Sequence, residues 1–128
     1  MAKNFKVAAV QLNINKKINL ILDDIKHYIQ LAKRKKVDII CFPEGSIYAG
    51  PKKNREIISK IKELCKKYKI WCIIPTPLKE KKYIYNFALL INDKGFISGK
   101  HKKVHTLGDG RVTPGTKFDI HYTKFCKI

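Results

Sequence analysis

In Phe42-Pro43-Glu44-Gly45-Ser46 a carboxylate follows directly on a short apolar run, and two later clusters stand out beside it. Glu44 comes at the C-terminal end of a predicted strand, the edge where open α/β sheets place ligands. A carboxylate held beside Ile39 to Phe42 either pairs with a cation or has a raised pKa, and such a group can take a proton from a nucleophile. The alternative is a loop glutamate facing water. The second cluster is His101-Lys102-Lys103-Val104-His105. Strand alternation sends Lys103 to one face with His101 and His105, and Lys102 to the other. A lysine beside a glutamate in a dry cleft stabilises negative charge developing on a carbonyl oxygen, whereas a basic strand end in water does nothing of the kind. His101 and His105 share a strand face as metal ligands would, but no third ligand accompanies them and no metal is assigned. The third cluster, Tyr85-Asn86-Phe87-Ala88, opens an apolar strand, where asparagine serves as a turn residue or strand-end cap.

The elements that must position these groups follow from hydrophobic spacing. Phe5 to Leu12 reads as a buried strand. Asn15 is placed to cap the helix that follows, in which Ile18, Ile21, Leu22, Ile25, Ile29 and Ala32 recur at three- and four-residue steps. Lys33-Arg34-Lys35-Lys36 ends it, with positive charge where the helix dipole favours it. Val37 to Phe42 is a second strand, stopped by Pro43. A loop with Gly45, Gly50 and Pro51 leads to a second helix burying Ile57, Ile58, Ile61, Leu64, Cys65 and Tyr68. Ile70 to Ile74 makes a third strand, closed by Pro75 and Pro77. Tyr83 to Asn92 and Phe96 to Val104 are extended runs joined by a hairpin turn at Asp93-Lys94-Gly95. A strand is expected at Phe118 to Tyr122 and another from Phe125. This order predicts one sheet with both helices on a single face, leaving the other face apolar and in need of a second sheet or a partner.

Composition narrows the class. The 128 residues make at most one domain, and 45% apolar with 10% aromatic residues argues against wholesale disorder. Neither a membrane-length apolar run nor a signal-peptide core occurs, so a cytoplasmic protein is expected, with no membrane partner. Cys41, Cys65, Cys72 and Cys126 form no C-x-x-C pair and read as reduced thiols. Twenty-eight Lys and Arg against ten Asp and Glu give +18. That field would attract nucleic acid or anionic membranes, yet the lysines are spread along the chain and arginine is confined to Arg34, Arg55 and Arg111. Solvated helix faces account for this with fewer assumptions, so a basic nucleic-acid-binding protein stands as an alternative and nucleic acid is not the expected partner.

Taken in order, Val7-Ala8-Ala9-Val10-Gln11, Phe42-Pro43-Glu44-Gly45, Tyr85-Asn86, Asp93-Lys94-Gly95, Lys100 to His105 and Pro114-Gly115 resemble the nitrilase or carbon–nitrogen hydrolase family nearly end to end. The resemblance implies an α/β fold, the N-terminal half of an α-β-β-α sandwich. It also implies cleavage of a non-peptide C–N bond in a small amide or carbamoyl compound by a Glu–Lys–Cys triad, with no metal or organic cofactor. Glu44 would be the general base and Lys103 the cation that steadies the tetrahedral intermediate.

The sequence departs from the family pattern in two places. The family's nucleophilic cysteine lies just beyond a Gly-Lys-Ile-Gly stretch. Phe125-Cys126-Lys127-Ile128 looks like the start of that stretch, with Cys126 where glycine is usual. Cys126 falls too early and is expected inside a strand, as a structural or free thiol. Residues 1–128 therefore read as a partial, truncated domain ending just before the expected nucleophile, inactive alone. A complementing second half or a homo-oligomer would be its partner, and a non-catalytic module pairing through the exposed sheet is a further alternative. The family's second glutamate is also missing: in Thr106 to Thr113 the only acid is Asp109, a possible second acid.

Overall fold

A computed structural model describes residues 4–128. Five strands and two helices follow one another as β1 (Val7–Ala9), α1 (Ile18–Arg34), β2 (Ile39–Cys41), α2 (Pro51–Tyr68), β3 (Trp71–Glu80), β4 (Tyr83–Ile91) and β5 (Ile97–Lys102). They form one sheet in the order β1-β2-β3-β4-β5, in which every strand neighbours the next in sequence. The β1–β2 and β2–β3 pairs are parallel, while β3–β4 and β4–β5 are antiparallel. Crossovers between parallel neighbours are right-handed, and two taken in the same direction put both helices on one face.

That face holds the core. Ile21, Ile25 and Ile29 of α1 and Ile57, Ile61 and Cys65 of α2 bury against Ile40, Phe42, Cys72, Ile74, Phe87 and Leu89 of the sheet. The three- and four-residue spacing that predicted the helices therefore marks their buried stripes. Pro51 stands at the first turn of α2, where its missing N–H costs nothing. The helix starts earlier than its apolar stripe because Asn54, fully buried, accepts from the Ala49 N–H at 2.8 Å and donates to the Pro77 carbonyl at 2.8 Å. One side chain thus ties the Glu44-bearing loop to β3.

Four expectations need correction. Asn15 does not cap α1, whose N-cap is Lys17 with no side-chain cap bond; Asn15 instead donates its N–H to Asn13 Oδ1 at 3.1 Å. β1 and β2 shrink to three residues each. β3 runs straight through Pro75 and Pro77, which pair with Ala88 and Asn86. β2 pairs with β3 only as far as Ile73, so the N–H groups both prolines lack would have pointed to a side with no strand to receive them. Last, Phe118 to Tyr122 and the run from Phe125 are not strands. Thr123 Oγ1 accepts from the N–H groups of Phe125 and Cys126, closing a tight turn that pairs His121 with Ile128 and bridges Tyr122 to Lys127. This places Cys126 in a turn rather than inside a strand.

The turn lies on the sheet face opposite the helices. Phe125 stacks on Phe5 at 5.6 Å and meets the edge of Trp71 at 6.2 Å, covering Ile39, Trp71 and Leu90. The cover is partial: Val7 remains 63% exposed, and Phe118, Ile120 and Tyr122 at least as much.

Candidate active site

Glu44 sits in the turn that ends β2. Gly45 makes that turn possible, with φ +84°, a conformation L side chains avoid. Ser46, fully buried, closes it by donating to the Pro43 carbonyl at 2.5 Å. Lys103 is the first residue after β5, and strand alternation aims it as predicted: its Nζ reaches Glu44 Oε1 at 2.7 Å. Lys102, on the opposite face, pairs with Glu80 at 2.7 Å and lies 3.9 Å from the Tyr85 ring centroid. Of the two options for a strand-end carboxylate, Glu44 takes the paired one, although its side chain stays 60% exposed.

Asn86 is not the turn residue or strand-end cap that the sequence suggested: it lies inside β4 and serves the Glu44–Lys103 pair. Its Nδ2 donates to the same Glu44 oxygen at 2.9 Å, and its backbone carbonyl accepts the Lys103 N–H at 2.8 Å. Asn86 thus holds both partners at once. Both donors converge on Oε1, so Oε2 has no protein donor among the described residues. The sequence signal was a polar residue within the apolar run of β4, where its backbone carbonyl faces the N–H of Lys103 just past the end of β5. Gly115 supports the lysine from behind. It donates to the Lys103 carbonyl at 2.8 Å and lies so close that a Cβ would come within 2.5 Å of the Lys102 carbonyl oxygen.

Glu44, Asn86 and Lys103 line a cavity of about 150 Å³ together with Tyr48, Asp109 and Arg111. A broader one of about 350 Å³ continues from Glu44 and Lys103 over Pro75 and Ala88 to His101, His105 and Phe118. Asp109 is in the first cavity but tied to Arg111, whose Nε donates to it at 2.7 Å; this bond holds the Asp109 carboxyl below its ordinary range. His101 stacks on Phe118 at 6.1 Å and lies 3.6 Å from Asp119. Among the described residues no three His, Cys, Asp or Glu side chains gather as a metal site. Cys126 lines neither cavity. Burial pushes the Cys41 thiol up, away from the nucleophilic thiolate, and Cys72, deeper still, is raised well above the ordinary range by burial and by Cys65.

Fold and sequence together define the class: the chain belongs to the carbon–nitrogen hydrolase family, whose sequence pattern matches residues 6–127. It is 30% identical over 151 aligned positions to "Nitrilase homolog 2" of Dictyostelium discoideum, covering 98% of this chain and 45% of that protein. Among solved structures it resembles Saccharomyces cerevisiae Nit3, a member of branch 10 of the nitrilase superfamily, with a TM-score of 0.81, 26% identity, and coverage of 96% of this chain and 53% of that one. An amidase from Nesterenkonia sp. shares the fold at a TM-score of 0.86 and 15% identity, covering 99% and 54% of the two chains. The chain spans about half the length of the relatives it matches. Its sheet and two helices are the α/β architecture expected for the N-terminal half of a nitrilase-type sandwich. No helix among the described residues is long and apolar enough to cross a membrane.

Proposed function

We propose that residues 1–128 form the acid–lysine half of an amide-type C–N hydrolase site, in which Glu44 is the general base and Lys103 the cation facing the oxyanion. The observation that carries this reading is the convergence of Lys103 Nζ and Asn86 Nδ2 on one oxygen of Glu44, in a chain of this family. Glu44 Oε2 would take the thiol proton of a cysteine supplied by the rest of the family's fold. The thiolate would attack the substrate carbonyl, and Lys103 would stabilise the negative oxygen. Collapse would expel ammonia or an amine carrying the proton from Glu44, leaving a thioester that water cleaves to the acid. None of the four cysteines present fits the nucleophile, so residues 1–128 alone are inactive in this reading. Asp109 is the candidate second acid, reachable once Arg111 swings away. Action in the cytoplasm belongs to the same reading, supported by four free cysteines.

The test is ammonia release from a panel of short amides. The chain alone is expected to release none. A domain completed with the second half of the Dictyostelium relative is expected to turn over, and to lose about 100-fold or more on Glu44→Gln or Lys103→Ala. Amide hydrolysis by residues 1–128 that survives Glu44→Ala would sink the proposal.

The open sheet face favours a second reading, compatible with the first, in which the chain docks through Val7, Ile73 and the apolar residues before the C-terminal turn onto a complementing half or another copy. The exposure of Val7, Phe118, Ile120 and Tyr122 around that face supports it.

A further inference from the structure

Lysines that are scattered in sequence gather at one end of the sheet. The start of α2 meets the β3–β4 hairpin at Pro77 and Lys79, through Asn54 and Arg55, and the two-residue tip of that hairpin is Lys81-Lys82. Lys81 adopts φ +55°, where a hairpin tip ordinarily holds asparagine or glycine. Two adjoining cavities flank the hairpin on the helix side. One, of about 280 Å³, is lined by Arg55, Lys79, Lys81 and Lys100. The other, of about 260 Å³, is lined by Lys100, Lys102 and Lys117, and the two share Glu80 and Phe87.

The acids here are already engaged. Glu80 is held by Lys102, which keeps its carboxyl below the ordinary range, and Asp119 lies 3.3 Å from Lys117. Arg55, Lys79, Lys81 and Lys100 form no ion pair among the described residues; the Arg55 guanidinium donates to the Lys79 carbonyl. Beside this row of cations runs an aromatic ladder. Tyr83 and Tyr85 stand 6.2 Å apart and Tyr85 and Phe87 5.9 Å apart, all on one face of β4, and the outermost ring, Tyr83, is 44% exposed.

We propose that this end of the sheet binds single-stranded nucleic acid. The phosphate backbone lies along Arg55, Lys81 and Lys100, and a base stacks on Tyr83; Lys79, paired with Ile84, points its side chain to the other face and offers only its carbonyl here. Cations in a row without buried donors suit an extended, repeating anion rather than one small phosphate ester. An exposed ring beside that row adds a π-face that any unpaired base can use and a duplex cannot. The groove lies on the helix side, away from Glu44, so the inference is independent of the hydrolase reading.

Fluorescence anisotropy of a labelled oligothymidylate of about 15 nucleotides, titrated with the 128-residue chain at low and moderate salt, tests it. Replacing Arg55, Lys81 and Lys100 by alanine is expected to weaken binding at least tenfold and to flatten the log–log salt slope by about 2. The same three-charge removal at Lys33, Lys35 and Lys36, around the C-terminal end of α1, should cost less than about threefold. Tyr83→Ala should weaken the oligonucleotide at least about fivefold and leave inorganic polyphosphate unchanged. Far-ultraviolet circular dichroism confirms that each variant folds, and glutamine replaces alanine where it does not. Equal losses from the two sets of three cations, no binding at low salt, duplex bound as tightly as single strand, or indifference to Tyr83 would each overturn the proposal.

Discussion

Asn86 makes two bonds of different kinds, a side-chain donor to Glu44 and a backbone acceptor to Lys103, so its effects can be separated by substitution. Changing it to leucine removes only the first. In a completed domain Asn86→Leu should lower kcat about tenfold or more through a misplaced Glu44, while the urea midpoint of the 128-residue chain moves little. An unchanged kcat would mean that Lys103 alone positions the carboxylate. Asn54 is the opposite case, fully buried with both amide atoms bonded to backbone. Asn54→Leu should cost about 1–3 kcal/mol in urea unfolding, since it strands the half-buried Ala49 N–H and Pro77 carbonyl. Thiols divide in the same way. Cys65 and Cys72 are fully buried, so iodoacetamide should label them only at the rate of unfolding, after Cys126 and Cys41.

Among the elements, the C-terminal turn is secured by an ion pair between Lys124 and Asp93 in the β4–β5 connection. Burial works to raise the Asp93 carboxyl, but the Lys124 bond and charge prevail and hold it below its ordinary value. A carboxyl depressed in the folded state stabilises the fold above its unfolded pKa and loses that contribution as pH falls through the folded value. Asp93→Asn should therefore loosen the turn at neutral pH, with the difference from the parent protein vanishing well below pH ~4. Trp71, the single tryptophan, lies under Phe125 and reports the change by fluorescence. At this scale the sequence is read well where periodicity governs: Ile21, Ile25 and Ile29 mark the buried stripe of α1 as their spacing implies. It is misread where neighbours decide. Pro75 and Pro77 look like strand breakers until β2 is seen to end beside them, and Phe118 to Tyr122 has strand composition without a strand to pair with. Glu44 and Lys103 were legible by type and by position at strand ends. Their common link to Asn86 was not, because it depends on the β4–β5 pairing.

For the molecule as a whole, the two faces differ in kind. One is covered by the two helices, the other is a partly covered apolar sheet. An apolar face of this sort should bind a hydrophobic dye such as anilinonaphthalene sulfonate and promote concentration-dependent self-association, measured by sedimentation. Monomers that stay homogeneous at high concentration and leave the dye dark would remove the docking reading. The net charge of +18 opposes that association, so self-association should grow as salt rises.

The strand order has a kinetic consequence. Each strand joins the one made immediately before it, and no connection skips over a neighbour. Emerging from a ribosome, such a sheet can grow one strand at a time, each addition finding its template already in place and waiting on nothing downstream. The acid and the lysine would then be brought together as soon as β5 is laid down. Assembly of that pair becomes an early event in the life of the chain.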